Sequence, residues 1–166
     1  SDKSYLTQMR LSLKFPNLAF LILISFLTTV VFSGLEVSFP LWSNRQLNWG
    51  PEQNAYLFAF VGVLGALVQG GLAGLLSRRY GETGLIIQGA CTLCLGVILI
   101  PFAETITFLV IAMTIAGYGF SIISPAINSS ISLQVDGENQ GMVMGVTRSA
   151  MTLARVAGPI LAGVSF

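Results

Sequence analysis

Long apolar stretches separated by short polar ones make up the chain, and none of the stretches alternates apolar and polar residues one by one. Five of them, at about 17–42, 54–76, 84–103, 105–128 and 143–166, are long enough to cross a bilayer, since a hydrocarbon core of about 30 Å takes roughly 20 apolar residues. Backbone polar groups in lipid must be satisfied within a helix or around a closed barrel. Without the period-two pattern of barrel strands, helices are the reading that does so. The pattern predicts an all-α membrane protein with five transmembrane helices.

Composition agrees with that class. Of 166 residues, 54% are hydrophobic and 9% charged, with a mean hydropathy of +0.79; soluble domains carry roughly 25% charged residues. A net charge of +1 gives no reason to expect a nucleic-acid partner, and a soluble partner is not implied. Histidine is absent, and Cys91 and Cys94 lie one helical turn apart in apolar surroundings. With no second pair to complete a metal site, they are expected to be packing residues. No phosphate loop, nucleophile with a base, or metal-ligand set occurs, so neither an enzyme nor a cofactor is expected.

Charge placement predicts orientation. Lys3, Arg10 and Lys14 precede the first segment and Arg78 and Arg79 lie between the second and third, all on one side if the chain alternates. The opposite side has only Arg45. Lys and Arg accumulate in cytoplasmic loops, so the N-terminus is expected to be cytoplasmic. Asp136 and Glu138 fall on that side too, but acidic residues contribute little to the rule. Trp42, Trp49 and Tyr56 cluster near the opposite interface, where amphipathic rings prefer to sit. The chain starts without Met and stops inside an apolar stretch, and it reads as a piece of something longer.

Two stripes of small residues predict helix packing: Gly62, Ala66, Gly70 and Gly74 in the second segment, and Ala150, Ala154, Gly158 and Ala162 in the fifth. In lipid, close backbone approach along such stripes supplies the contacts between helices. The fifth segment also holds Pro159, which is accommodated where a neighbouring helix satisfies the backbone it disrupts.

Two motifs carry a family resemblance. The turn "GLLSRRYGE" resembles the loop signature G-x-L-x-D-R-x-G-R of the major facilitator superfamily at Gly74, Leu76, Arg79 and Gly81, with Arg78 in place of the aspartate and Glu82 in place of a basic residue. The stretch "GVTRSAMTLARVAGPILAG" resembles that superfamily's antiporter signature, G-x8-G-x3-G-P-x2-G-G, at Gly145, Gly158, Pro159 and Gly163, with Ala154 and Ala162 replacing two glycines. The surrounding sequence looks like drug:proton antiporters of the tetracycline-efflux type. The resemblance implies helices seven to eleven of a twelve-helix fold, and hence a partial C-terminal transmembrane half over residues 1–166. It also implies a missing N-terminal six-helix half, a small-molecule substrate and proton as partners, and a bacterial inner membrane. Such transporters rock two halves about a midplane site.

Glu36 is the one acidic residue well inside an apolar run. A carboxylate buried there is suited to loading and releasing a proton. The resemblance puts its helix on the central cavity, which makes Glu36 a candidate for proton coupling; a carboxylate in the outer vestibule, or paired with an arginine of the missing half, is the structural alternative. Arg148 and Arg155 are seven residues apart, nearly on one helix face. Arg148 is expected to snorkel to headgroups. Arg155 needs protein or water, because an arginine at a helix centre costs about 2.5–3.5 kcal/mol to insert; its partner is an anionic substrate, a carboxylate or a structural pair. A direct pairing of Arg155 with Glu36 is disfavoured, because their expected depths differ.

Phe32, Phe39, Gln69, Tyr118 and Phe120 are expected to line the cavity, although such aromatics are more often packing or lipid contacts and Gln69, like Asn128, an interhelical hydrogen-bonding group. Pro125 is expected to weaken or kink the fourth segment. The sequence reads as a secondary transporter exporting small amphipathic compounds by alternating access. The alternative is a facilitator-fold subunit that no longer transports and has a structural role in a larger membrane complex.

Overall fold

The computed structural model describes residues 16–135 and 137–165. Lys3, Arg10, Lys14 and Asp136 lie outside the described residues, as does the side chain of Glu138. All regular structure among the described residues is helical: α1 (Pro16–Leu47), α2 (Pro51–Leu67), α3 (Ala73–Leu99), α4 (Ile106–Gln134) and α5 (Gly137–Ser165). A π-helical turn, Val68–Leu72, joins α2 to α3, and a 3₁₀ turn, Ile100–Phe102, follows α3.

Local chemistry sets the boundaries. Asn48, in the left-handed region at φ 56°, turns the chain after α1. Gly50 then caps α2, its N–H donating to the Gln53 side chain at 3.0 Å, and Pro51 supplies a first-turn residue that needs no N–H partner. The Thr105 hydroxyl caps α4 by accepting the Phe108 N–H. At Gly81 the backbone adopts φ 73° and ψ 164°, a region open to glycine alone. That single residue bends what is otherwise one hydrogen-bonded run from Pro51 to Phe102.

Three stretches are long and apolar enough to cross a membrane: Asn17–Leu47, the 52-residue run Pro51–Phe102, and Ile106–Gln134. The helix carrying Arg148 and Arg155, expected as a fifth span, is not among them. At 1.5 Å per residue the 52-residue run is far longer than one crossing of about 30 Å needs.

Two helix pairs organise the packing, α3 with α4 and α1 with α5, and α2 rests on α4. Glycine lets the α3–α4 backbones touch: a Cβ on Gly96 would overlap the Ala116 backbone, and one on Gly119 would overlap Leu93 and the Gly89 carbonyl. One apolar core runs through Leu85, Leu93, Ile122, Ile127 and Ile131, and a second through Phe39, Leu57, Leu109 and Met113.

The expected stripe on α5 meets α1. A Cβ on Gly158 would lie 2.7 Å from the Val30 carbonyl oxygen and 2.9 Å from the Gly34 nitrogen, and Ala154 is fully buried. The expected stripe of the second segment, which runs from α2 through the π-helical turn into α3, meets no other described helix at its glycines: Gly62, Gly70 and Gly74 have no heavy atom within 4 Å of a built Cβ. It is the adjacent Gly65 that faces α4, at Ser121. Cys91 and Cys94, expected as packing residues, are exposed free thiols on α3. Their faces point away from α4, which buries Gly89, Leu93 and Gly96 instead.

Candidate functional site

Thr29, Phe32, Ser33 and Glu36 share one face of α1, as the helical period requires. Phe32 stacks on Phe120 of α4 with ring centroids 4.0 Å apart and planes 4° from parallel. Cavities open on both sides of the stacked pair, and Glu36 lines both. The larger, of 510 Å³, lies toward α2 and includes Phe58, Gln69 and Ser121. The smaller, of 240 Å³, lies toward α5 and includes Thr29, Ser33 and Arg155.

The structure places Glu36 and Arg155 on one cavity without pairing them directly. α1 continues to Leu47, so Glu36 and Arg155 each lie about one turn beyond the midpoint of their helix. Contacts also ascend together, from Ser33 with Arg155 to Gly34 with Gly158 and Ala162, which makes α1 and α5 parallel. With Gly34 beside Gly158, the two charged residues are offset by five positions, about 7.5 Å along the axis. Among the described residues no ion pair joins them. Glu36 is exposed, so these helices do not supply the burial expected of it.

Three prolines leave backbone carbonyls of this region without their intrahelical donor. A proline inside a helix cannot donate to the carbonyl four residues earlier. Pro40, Pro125 and Pro159 lie within α1, α4 and α5, and the residues four before them are Glu36, Ser121 and Arg155. All three of those residues line the paired cavities. The carbonyl of Arg155 is satisfied across the helix pair: the Ser33 hydroxyl donates to it at 3.1 Å. This is the accommodation expected for Pro159, and the donor is a residue that sequence reasoning did not single out. Counting back four from each proline is the signal that points to these positions.

The remaining expected residues are distributed as follows. Phe39 is 1% exposed and packs against Trp42 and Phe58 in the second core, where it lines neither cavity. The Tyr118 hydroxyl accepts from the Gln88 amide at 3.2 Å between α3 and α4, also away from Glu36. Both rings follow the inward side of their helices, which here faces protein. Gln69 sits in the π-helical turn, whose register is marked by the Ala73 N–H bonding to the Val68 carbonyl. Of the loop motif, Gly74, Arg78 and Arg79 are exposed, Gly81 forms the elbow, and the Arg79 guanidinium lies 5.7 Å over the Tyr80 ring. Of the antiporter-like motif, Ala154 and Gly158 form the crossing with α1 and Pro159 follows it. Gly145 and Gly163 have no heavy atom within 4 Å of a built Cβ.

Residues 3–159 match the sequence profile of the Major Facilitator Superfamily. The chain belongs to that superfamily. Its members are integral membrane transporters of small molecules, which accords with the apolar helices and the cavities between them. This facilitator chain is 26% identical over 146 residues to mouse major facilitator superfamily domain-containing protein 10, covering 88% of the chain and 32% of that protein. It is 28% identical to the class C tetracycline resistance protein of Escherichia coli, covering 76% of the chain and 32% of that protein. The fold also matches the crystal structure of the human organic anion transporter MFSD10 (TETRAN), with a TM-score of 0.77 and 26% identity over 87% of this chain and 34% of that one. The chain thus spans about a third of the length of the relatives it matches.

Proposed function

We propose that this chain is helices seven to eleven of a proton-coupled efflux transporter that exports small amphipathic compounds by alternating access. The observation that carries the reading is the pair of cavities flanking the Phe32–Phe120 stack, with Glu36 on both and Arg155 on one. The stacked rings offer an apolar surface to a substrate body. Glu36 takes either the proton or the polar end of the substrate, so that loading one displaces the other. Arg155 provides the fixed positive charge facing the carboxylate when the proton has left.

In this reading Pro51–Phe102 crosses twice, turning at Gly81, and α5 crosses with Arg155 turned to the cavity and Arg148 reaching the cytoplasmic headgroups. The missing N-terminal half covers the open stripe Gly62, Ala66, Gly70 and Gly74 and removes Glu36 from solvent. The arginine-bearing elbow is cytoplasmic, as is the N-terminal end of the chain. A bacterial inner membrane is the proposed location, supported by the Escherichia coli relative, although mouse and human relatives mean the superfamily is not confined to bacteria.

The test is Glu36→Gln in the full-length protein, reconstituted in vesicles. Gradient-driven uptake should be abolished while folding and expression are preserved. Unchanged uptake removes Glu36 from the mechanism.

A further inference from the structure

A helical irregularity lies between the Glu36 cavity and the Gly81 elbow. Val61, Gly65 and Gln69 line the 510 Å³ cavity, and Gln69, Ala73 and Ser77 line a further cavity of 260 Å³ that Glu82 also borders. These positions recur every four residues, and Gln69 is common to both spaces. In an uninterrupted α-helix each four-residue step drifts by about 40°, so positions 61 and 77 would lie about 160° apart, nearly on opposite faces. Cavities that follow one face of the helix need that drift removed.

The π-helical turn Val68–Leu72 removes it. The Ala73 N–H bonds five residues back to the Val68 carbonyl, so the turn holds one residue more than an α turn and the helix beyond it lags by about 100°. Positions 61 and 77 then lie within about 60° of each other. Both ends of the turn are pinned: Val68 is 1% exposed and Ala73 6%, and both belong to the first apolar core. Between them, a Cβ on Gly70 or Gly71 would meet nothing within 4 Å. The buried side therefore fixes the register at Gln69, and the extra residue is taken up on the open side. Such single π turns inside α-helices recur at functional sites.

Gln69 and Ser121 are the uncharged polar residues lining the Glu36 cavity. Ser121 is 6% exposed, and its hydroxyl oxygen lies 2.7 Å from where a Cβ on Gly65 would be, so it is held between α2 and α4. Gln69 is exposed, and its amide carries both donors and an acceptor.

We propose that Gln69 is a specificity-determining residue of the Glu36 cavity, presented there by the π-helical turn, and that its amide hydrogen-bonds a polar group on the substrate's ring system while Glu36 takes the polar end. The assignment rests on the Glu36 cavity being the transport site. It favours amphipathic compounds that carry a donor or acceptor on the ring over otherwise identical ones that do not.

The test uses ethidium, a planar aromatic cation with amines on its rings, and the analogue lacking those amines. Binding of each to the full-length protein is measured by equilibrium dialysis against protein-free micelles. Wild type should prefer ethidium. Gln69→Leu should weaken ethidium binding roughly 2- to 10-fold, the worth of one hydrogen bond, and leave the analogue unchanged. Deleting Gly71 removes the extra residue and should abolish the preference as well, whereas Gly71→Ala keeps the residue count and should retain it. Should the deletion fail to fold, Gln69→Leu, at an exposed position, decides. With Cys91 and Cys94 changed to serine, saturating ethidium should slow thiol labelling of Gln69→Cys but not of Leu67→Cys, which points off the cavity face. A wild type without preference for ethidium, an equal loss for both probes in Gln69→Leu, or no loss for either overturns the proposal. A wild type that binds neither probe overturns it together with the transport-site reading. Binding is read without a gradient, so a missing ethidium preference and unchanged uptake in Glu36→Gln are separate failures.

Discussion

If the Ser33 hydroxyl replaces the hydrogen bond that Pro159 cannot give, its value should depend on that proline. Ser33 is 7% exposed and donates to the Arg155 carbonyl at 3.1 Å. Ser33→Ala leaves the carbonyl without either partner. A buried unsatisfied carbonyl costs about 1–3 kcal/mol, but interhelical hydrogen bonds in membranes average about 0.6 kcal/mol and reach about 1.7. About 1 kcal/mol is therefore expected for Ser33→Ala alone. In Pro159→Ala, residue 159 regains an N–H four positions after Arg155 and can close the intrahelical bond. Ser33→Ala should then cost close to nothing. The assay is a double-mutant cycle by reversible unfolding of the full-length protein in mixed detergent micelles, and the expected coupling is about 1 kcal/mol. An equal cost for Ser33→Ala in both backgrounds would refute the reasoning, since the hydroxyl would then contribute something other than a replacement bond.

Further outcomes are expected along the same helices. Gly96→Leu should destabilise the protein by at least about 1–3 kcal/mol, the usual range for overpacking, because its Cβ overlaps the Ala116 backbone and no side-chain rotation can relieve a clash with main chain; thermal unfolding in detergent reads it. Gly81→Ala should lower stability by roughly 1–3 kcal/mol through strain at φ 73° and ψ 164°, and an unchanged melting profile would mean that the elbow relaxes freely. With Cys91 and Cys94 first changed to serine, Arg79→Cys should resist an impermeant thiol reagent added outside whole cells, whereas Asn48→Cys should react. The reverse pattern inverts the proposed orientation.

Helical class was legible because it depends on local quantities: runs of apolar residues, the absence of period-two alternation and the few charges that interrupt them. The loop motif was legible for a similar reason, since an elbow at Gly81 needs only one residue able to hold a positive φ. Pro159 was also readable as far as its need for a neighbour. Its donor was not, because Ser33 lies 122 positions away in the chain and nothing in a serine on an apolar helix says which carbonyl it will meet.

The candidate site depended on such distant pairings. Glu36 looked close to a helix end because α1 was expected to stop near residue 42, and its continuation to Leu47 leaves the carboxylate about one turn past mid-helix, on the cavity that Arg155 also lines. Register between α1 and α5 is then set by how closely Gly34 and Gly158 approach, which no single-helix pattern contains. The same holds for small residues. A four-residue repeat marks both the second segment and α5, yet the α5 stripe meets α1 and the second segment's stripe meets no other described helix at its glycines, while the tightest glycine crossing, between α3 and α4, involves no such repeat. A glycine permits close approach on whichever face it occupies, but which faces are brought together is decided by the packing of the whole bundle, where each contact competes with every other for the same surface.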